Sequence, residues 1–522
     1  MPHTPGPWYT PQPQQQPVPH NPYAQQGRGQ DPPGPPRRGR PGRGPVAIAV
    51  AVLLLAAAGG AYVLADGGSG KEQPAAPWAK GTPKPSGASG TAGTSGPETS
   101  SRSPAAASPA PERIPTTDEI NAGRKPGDAK AWIVEDPTDL PRSNILLNDL
   151  WLVGDTVVQA VDRRVVAHRL SDGAQVWSLK LPSTVCETPV NPTPDGRVVV
   201  VHHNRAKSRC DQVQEIDLRT GRAGWHKELT ETGSMDGTII VHSAISGDTL
   251  AIVQSMKATA YRVSDGAELY DIPMQKTGGC YPDDVAGGPR LLVSYGCAAG
   301  SETPYSRLRG VDPVTGRTLW QYRTQPGWKT GKVLSVEPVV LTTLHAERRE
   351  DDWRVVALGP DGRTGRTIDP RTKGFAYCGD SGDAGQGIQN CPGAAVGNGL
   401  VALGGTDRVG AYDLTSGKLV WGVKSDTGRR LHPLRPEAGK AVLVYEGAGM
   451  SRPGRILRIG PGGADTEKEV LRHPASATDP EYGMLSGNLA YTNGRIVITP
   501  SMVNGDDARR SARMMSFAPA GD

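Results

Sequence analysis

Phenylalanine occurs only twice in 522 residues, and no two of the six cysteines are adjacent. The chain has no glycine-rich phosphate loop, no nucleophile elbow and no cysteine or histidine pairs at zinc-finger spacing. The local signatures of nucleotide hydrolysis, serine-nucleophile chemistry and structural zinc are therefore missing. Charge of one sign is scarce too. The net charge is +5; residues 1–45 carry five arginines and one acid, which leaves only +1 for the rest of the chain. A basic footprint for nucleic acid on a folded portion is not indicated, and no nucleic-acid partner is expected.

Long hydrophobic runs are limited to one segment. Residues 46–65, VAIAVAVLLLAAAGGAYVLA, carry no charge, and at helical rise 20 residues span about 30 Å, the hydrocarbon thickness of a bilayer. Arg37, Arg38, Arg40 and Arg43 precede this segment, whereas Asp66 and Lys71 follow it. The positive flank predicts a single-pass membrane helix over 45–66 with the N-terminus in the cytoplasm. A cleaved leader ending near Val63 and Ala65 is the alternative, but 45 preceding residues and a 20-residue apolar run exceed what such signals use.

Proline and glycine crowd into the regions on either side of that span. Residues 1–44 read as a disordered, Pro/Gln/Gly-rich cytoplasmic tail, and 67–118 as a disordered Gly/Ser/Thr/Pro linker, because neither offers enough apolar surface to offset chain entropy. As a flexible coil the linker spans roughly 40 Å. Residues 119–522 are left as the folded domain. Their short Val, Leu and Ile runs between glycine-rich turns point to an all-β fold.

An internal repeat sets the architecture. It reads VVAHRLSDGAQVW at 165–177, VQEIDLRTGRAGW at 213–225, TAYRVSDGAELY at 259–270, LRGVDPVTGRTLW at 308–320 and VGAYDLTSGKLVW at 409–421. Gly173, Gly221, Gly266, Gly316 and Gly417 mark the turns, and Trp177, Trp225, Tyr270, Trp320 and Trp421 each follow four positions later. A tight hairpin needs one residue at positive φ, which glycine reaches without steric cost. The aromatic side chains are expected to pack against the adjacent blade. Weaker copies place turns at Gly362 or Gly365, at Gly462 or Gly463, and at Gly521.

Eight turns, about 45 to 60 residues apart, predict an eight-bladed β-propeller of four-stranded blades, with seven blades as the alternative count. The eighth repeat stops at Gly521, so its fourth strand must come from elsewhere. Upstream, KPGDAKAWIVE at 125–135 sets Gly127 five residues before Trp132, close to the repeat offset. This segment is expected to supply the missing strand and cover an open sheet edge.

The recurring Gly-x-x-x-aromatic turns resemble the repeats of pyrroloquinoline-quinone-type propellers, a group that includes quinoprotein dehydrogenases, the outer-membrane assembly lipoprotein and many envelope proteins. The resemblance covers 120–522 and implies the fold far better than the function. Tail, span, tether and propeller in that order look like membrane-anchored proteins of bacteria with GC-rich genomes, and the shortage of phenylalanine agrees. Quinoprotein dehydrogenases hold their cofactor between a tryptophan and a disulfide of adjacent cysteines, beside calcium and a catalytic aspartate. No such cysteine pair exists here. The acidic pairs Asp283–Asp284, Asp351–Asp352, Asp380 with Asp383, and Asp506–Asp507 lack calcium-loop spacing and are expected to be solvated turns. His202 and His203 are neighbours on a strand, point to opposite faces, and cannot share a metal. No catalytic residue, cofactor or metal is expected.

All six cysteines follow the apolar segment, as Cys186 and Cys210, Cys280 and Cys297, Cys378 and Cys391. Fifteen pairings are possible. Each consecutive pair falls between one outer-strand turn and the next, so sequential pairing is the simplest outcome, and disulfides imply an oxidising, extracytoplasmic compartment. The expected function is a membrane-anchored module at the cell envelope that binds, scaffolds or senses a ligand or protein. A quinone-dependent enzyme using the central channel is the alternative.

Overall fold

The computed structural model describes residues 113–521, apart from short stretches at 136–139, 148–149, 231–239, 255–256, 276–278, 381–386, 390, 485–486 and 506–511. The expected span at 46–65 and its flanking low-complexity segments lie outside the described residues, as do Asp383, Asp506 and Asp507. Among the described residues no helix is long and apolar enough to cross a membrane.

Eight four-stranded antiparallel sheets follow one another along the chain. Blades 1 to 7 occupy 150–180, 185–228, 241–272, 280–323, 328–368, 394–424 and 431–472. Blade 8 takes three strands from Leu489–Thr492, Arg495–Ile498 and Ala512–Ala518, and its fourth is Lys130–Glu135. That fourth strand pairs antiparallel with the last one, Trp132 opposite Ser516. Eight is thus the blade count.

In blades 1 to 7 the second strand is the most buried; in blade 8 it is the third, Ala512–Ala518. Thr156–Val161, Thr249–Gln254, Leu400–Gly404 and Val442–Glu446 are buried at every position. Both of their faces pack on neighbouring sheets, which is why their sequences run continuously apolar instead of alternating. Fourth strands such as Gln175–Lys180 and Thr318–Arg323 form the rim and alternate toward solvent, whereas the closing strand Lys130–Glu135 buries Ala131 and Trp132.

A short helix, Thr117–Ala122, covers the edge of the closing strand. Thr116 caps it in a capping box with Glu119. The Asn121 amide donates to the carbonyl of Ala131 at 2.7 Å and accepts from its N–H at 3.0 Å. Thr117 Oγ1 accepts from the N–H of Ile133. Side chains thus occupy backbone groups that an open edge would offer to another strand.

Candidate functional site

The repeat residues form a belt around the rim. Gly173, Gly221, Gly266, Gly316 and Gly417 all have φ between 71° and 75°, and each donates its N–H to the carbonyl four residues earlier, at 2.8 to 2.9 Å. In the fifth blade the turn falls at Gly362, with φ 77°, and not at Gly365. The aromatic of one blade lies against the turn glycine of the next. A Cβ added at Gly221 would stand 2.5 Å from Trp177, at Gly266 2.7 Å from Trp225, at Gly316 2.5 Å from Tyr270 and at Gly362 2.4 Å from Trp320.

Trp225 Nε1 also donates to the carbonyl of Val263, and the Tyr270 hydroxyl to that of Pro313. The fifth blade has Arg366 where blades 1 to 4 and 6 have an aromatic, and its Nε reaches the carbonyl of Thr415 at 2.7 Å. Trp421 departs from the pattern and donates to the carbonyl of Lys440. These contacts join blades at their outer edges, remote from the axis.

The axis is built from first strands, and sequence reading missed what stands there. The longest link between blades runs from blade 5 to blade 6, after Ile368 and before Ala394. It returns through Gly387, Ile388 and Gln389 across the first strands of blades 4 and 5. Val333 N–H donates to the carbonyl of Ile388 at 2.6 Å, and buried Lys332 reaches the carbonyl of Gly387 at 2.6 Å. The Gln389 side chain makes both bonds of a strand partner with Gly287, accepting from its N–H at 2.6 Å and donating to its carbonyl at 2.8 Å. Ile388 joins the apolar cluster of Ala286, Val333 and Val336.

Gly287 is required here: a Cβ would stand 2.2 Å from the carbonyl oxygen of Ile245 on blade 3. Asn191 of blade 2 donates to the same Gly287 carbonyl. On blade 3, Ser243 donates through both N–H and hydroxyl to Glu187 of blade 2. His242 lies 3.9 Å from Asp284.

Asp283 and Asp284 are therefore not a solvated turn. They sit on the first strand of blade 4, Cys280–Ala286, and Asp284 is buried. Burial lifts the Asp283 carboxyl to about 6, and the neighbouring Asp284 charge adds to the rise against a hydrogen bond from Ser294. Burial is also the main cause that lowers the His242 imidazole, assisted by the Lys332 charge. Asp352 is likewise buried, on strand Arg349–Leu358, and pairs with Arg348, Arg354 and Arg371. The local sequence YPDDV carries no signal that separates this buried strand from a solvated turn.

The other side of the axis mixes apolar side chains with exposed polar groups. A cavity of about 280 Å³ is lined by Leu150, Ala394, Leu434, Leu489 and Tyr491 of blades 1, 6, 7 and 8, with Cys391 and Pro392 of the crossing segment.

The cysteines pair sequentially, and among the described residues none is free. Cys186–Cys210 ties two strands of blade 2, and Cys280–Cys297 joins directly opposed residues of blade 4. The third bridge differs from an intra-blade tie. Cys378–Cys391 closes the crossing segment between blades 5 and 6. His202 is buried, and its Nδ1–H donates to the carbonyl of His203 at 2.9 Å.

A quinone cofactor does not fit these residues. Ile388 and Gln389 cross the first strands of blades 4 and 5, the cysteine beside the remaining cavity is bonded 13 positions away, and among the described residues no cluster of three histidines, cysteines or carboxylates could hold a metal.

Residues 118–303 match a family described as "Outer membrane protein assembly factor BamB". No curated protein matches the chain. Among solved structures, BamB from Moraxella catarrhalis is 17% identical, with 74% of this chain and 100% of that one covered, at a TM-score of 0.42. A europium-containing methanol dehydrogenase is 11% identical, covering 77% and 94% of the two chains, at 0.44. The quinohemoprotein alcohol dehydrogenase from Comamonas testosteroni is 12% identical, covering 75% and 76%, at 0.40. Residues 118–303 are thus similar to that family's propeller, and the three disulfides suit an extracytoplasmic setting.

Proposed function

We propose that this chain is a membrane-tethered propeller of the bacterial cell envelope that binds or scaffolds partners outside the membrane. The observation that carries the reading is the lock of Gln389 onto Gly287. It lays the protein's own disulfide-closed segment across the blades where a channel enzyme would need open space, so recognition falls to surfaces and loops. The apolar run at 46–65 with arginines on its N-terminal side supports a single span with the tail in the cytoplasm. The matched family's description names an assembly factor, in keeping with a scaffolding role.

Two measurements test this. Protease added to intact, wall-stripped cells should release or digest the propeller and spare the tail; protection of the propeller would sink the topology. Crosslinking in intact cells, followed by isolation of the full chain, should recover a defined envelope partner. Purified protein that carries a quinone absorbance or stoichiometric calcium would overturn the binding-module reading.

A further inference from the structure

The outer strands of blade 4 carry a row of arginines on one face. In the third strand, Tyr305–Val311, and the fourth, Thr318–Arg323, Arg307 stands directly opposite Arg323 and Arg309 opposite Gln321. Like charges placed directly opposite each other cost stability. Among the described residues none of the three pairs with a carboxylate. Arg307 donates to the side chain of Gln275 at 3.2 Å and to the Tyr305 hydroxyl at 3.3 Å; Arg309 donates to Gln321 at 3.2 Å and to the Tyr295 hydroxyl at 3.4 Å; Arg323 only stacks on a ring. The acids nearest in the blade 3 and blade 4 strands are engaged elsewhere or lie apart. Asp312 caps its own turn by accepting from Val314 and Thr315, Asp271 pairs with Lys257, and Glu302 is exposed in the bend before Tyr305. The undescribed residues next to Gln275, 276–278, are Lys, Thr and Gly and add no carboxylate to the sequence there.

Charge on an outer strand can serve merely to keep the sheet edge from pairing. These arginines are held more firmly than that role needs. The Arg323 guanidinium lies 4.0 Å from the centre of the Tyr305 ring, and that of Arg309 lies 4.6 Å from the centre of Tyr295, which is itself buried. Stacking fixes a guanidinium plane and leaves its N–H edge to point outward. Arg307 Nε is buried with no hydrogen-bond partner, an unmet donor within the row. An apolar residue stands beside the cations: Leu319 is 55% exposed, and Leu319, Gln321 and Arg323 alternate with Trp320 and Tyr322, which pack toward blade 5.

We infer that this face docks an extended acidic segment of a partner protein, with carboxylates on alternate residues and an apolar residue alongside them. Planar guanidinium forks match carboxylates in pairs of hydrogen bonds. Arg307 and Arg309 are two residues apart, roughly 7 Å along the strand, which is the repeat of alternate side chains in an extended chain. The cations spread over two open strands instead of closing on a cavity, so a segment fits them better than an enclosed small molecule. Leu319 gives such a segment an apolar contact that a purely ionic ligand would leave unused. The inference rests on the binding reading of the propeller and supplies it with a surface.

Fluorescence anisotropy with the full chain and a labelled peptide of alternating glutamate and threonine ending in leucine tests it. Saturable binding that weakens with added salt is expected. Arg323→Glu and Leu319→Asp, both at exposed positions, should each weaken it by about tenfold or more, and Lys418→Gln on the turn of blade 6 should leave it unchanged. Having two exposed variants keeps the test open should one of them fail to fold. No saturation at millimolar peptide, equal affinity in both variants, or equal binding of the same peptide with glutamine for glutamate would overturn the site. Tighter binding of duplex DNA or of phosphatidylglycerol vesicles than of the peptide would assign the arginines to another class of ligand and overturn it as well. Failure here, with an envelope partner still recovered by crosslinking in cells, would remove this surface and leave the binding reading standing; a quinone absorbance would remove that reading itself.

Discussion

The indole of Trp132 lies against Gly173: a Cβ on that glycine would stand 2.7 Å from the ring, and Trp132 Nε1 donates to the carbonyl of Leu170 at 2.8 Å. The pair is 41 positions apart and joins the fourth strand of blade 8 to the first blade. It is the same contact that joins blades 1 to 5 in succession, here used to close the circle.

Trp132 is 1% exposed. Trp132→Ala should therefore destabilise by about 3 to 5 kcal/mol, the range for emptying a large buried aromatic site. Gly173→Ala should also destabilise, because alanine meets the ring and is strained at φ 75°. Combined, the two losses should be less than additive, since each removes the other's partner. Chemical denaturation of the four proteins checks this, and strict additivity would argue against a shared contact.

Loss of the closing strand should cost far more than loss of linker. A chain beginning at residue 140 bares the blade 8 edge and the apolar faces that Trp132, Ala131 and the buried Ile120 cover. It should melt well below a chain beginning at residue 113, or fail to accumulate. Equal melting temperatures would refute closure by Lys130–Glu135.

The Cys378–Cys391 bridge spans 13 positions, for which loop closure predicts roughly 3 kcal/mol. Replacing both cysteines with serine should lower stability by up to that amount. It should also raise hydrogen exchange at the Val333 amide, which bonds to the bridged segment. Peptide mapping without reductant should recover the three sequential pairs; six free thiols would contradict them.

Asp283 predicts a pH dependence with a defined sign. Its folded pKa, about 6, lies above the ordinary 3.8, so the folded state holds the extra proton between those values. The favourable contribution is full below pH 4 and is lost as pH rises through 6. Asp283→Asn should thus stabilise the protein by about 3 kcal/mol at pH 8 and leave it unchanged near pH 3.5. A stabilisation that does not vary with pH would show that burial of the charge is not the cause.

Much of the fold was legible because its constraints are local. A hairpin that needs positive φ selects glycine, and a blade that repeats the hairpin repeats the glycine, so Gly173, Gly221, Gly266, Gly316 and Gly417 could be read as turns from a few residues each. Trp132 was legible as an orphan strand for the same reason, since its offset from Gly127 resembles the repeat. The cysteine pairs were readable because each lies within 24 positions or fewer.

The axis was not legible, because its chemistry depends on partners that only the closed ring brings together. Gln389 meets Gly287 across 102 positions and Asn191 meets it across 96. Arg513 reaches His168 across 345. Nothing in YPDDV distinguishes a buried acidic pair from a solvated turn until the blades beside it exclude water. Local backbone geometry is written in short segments of sequence; the protonation of Asp283, the lock on Gly287 and the contact of Arg513 with His168 are set by desolvation and long-range contact, which arise only once the ring has closed.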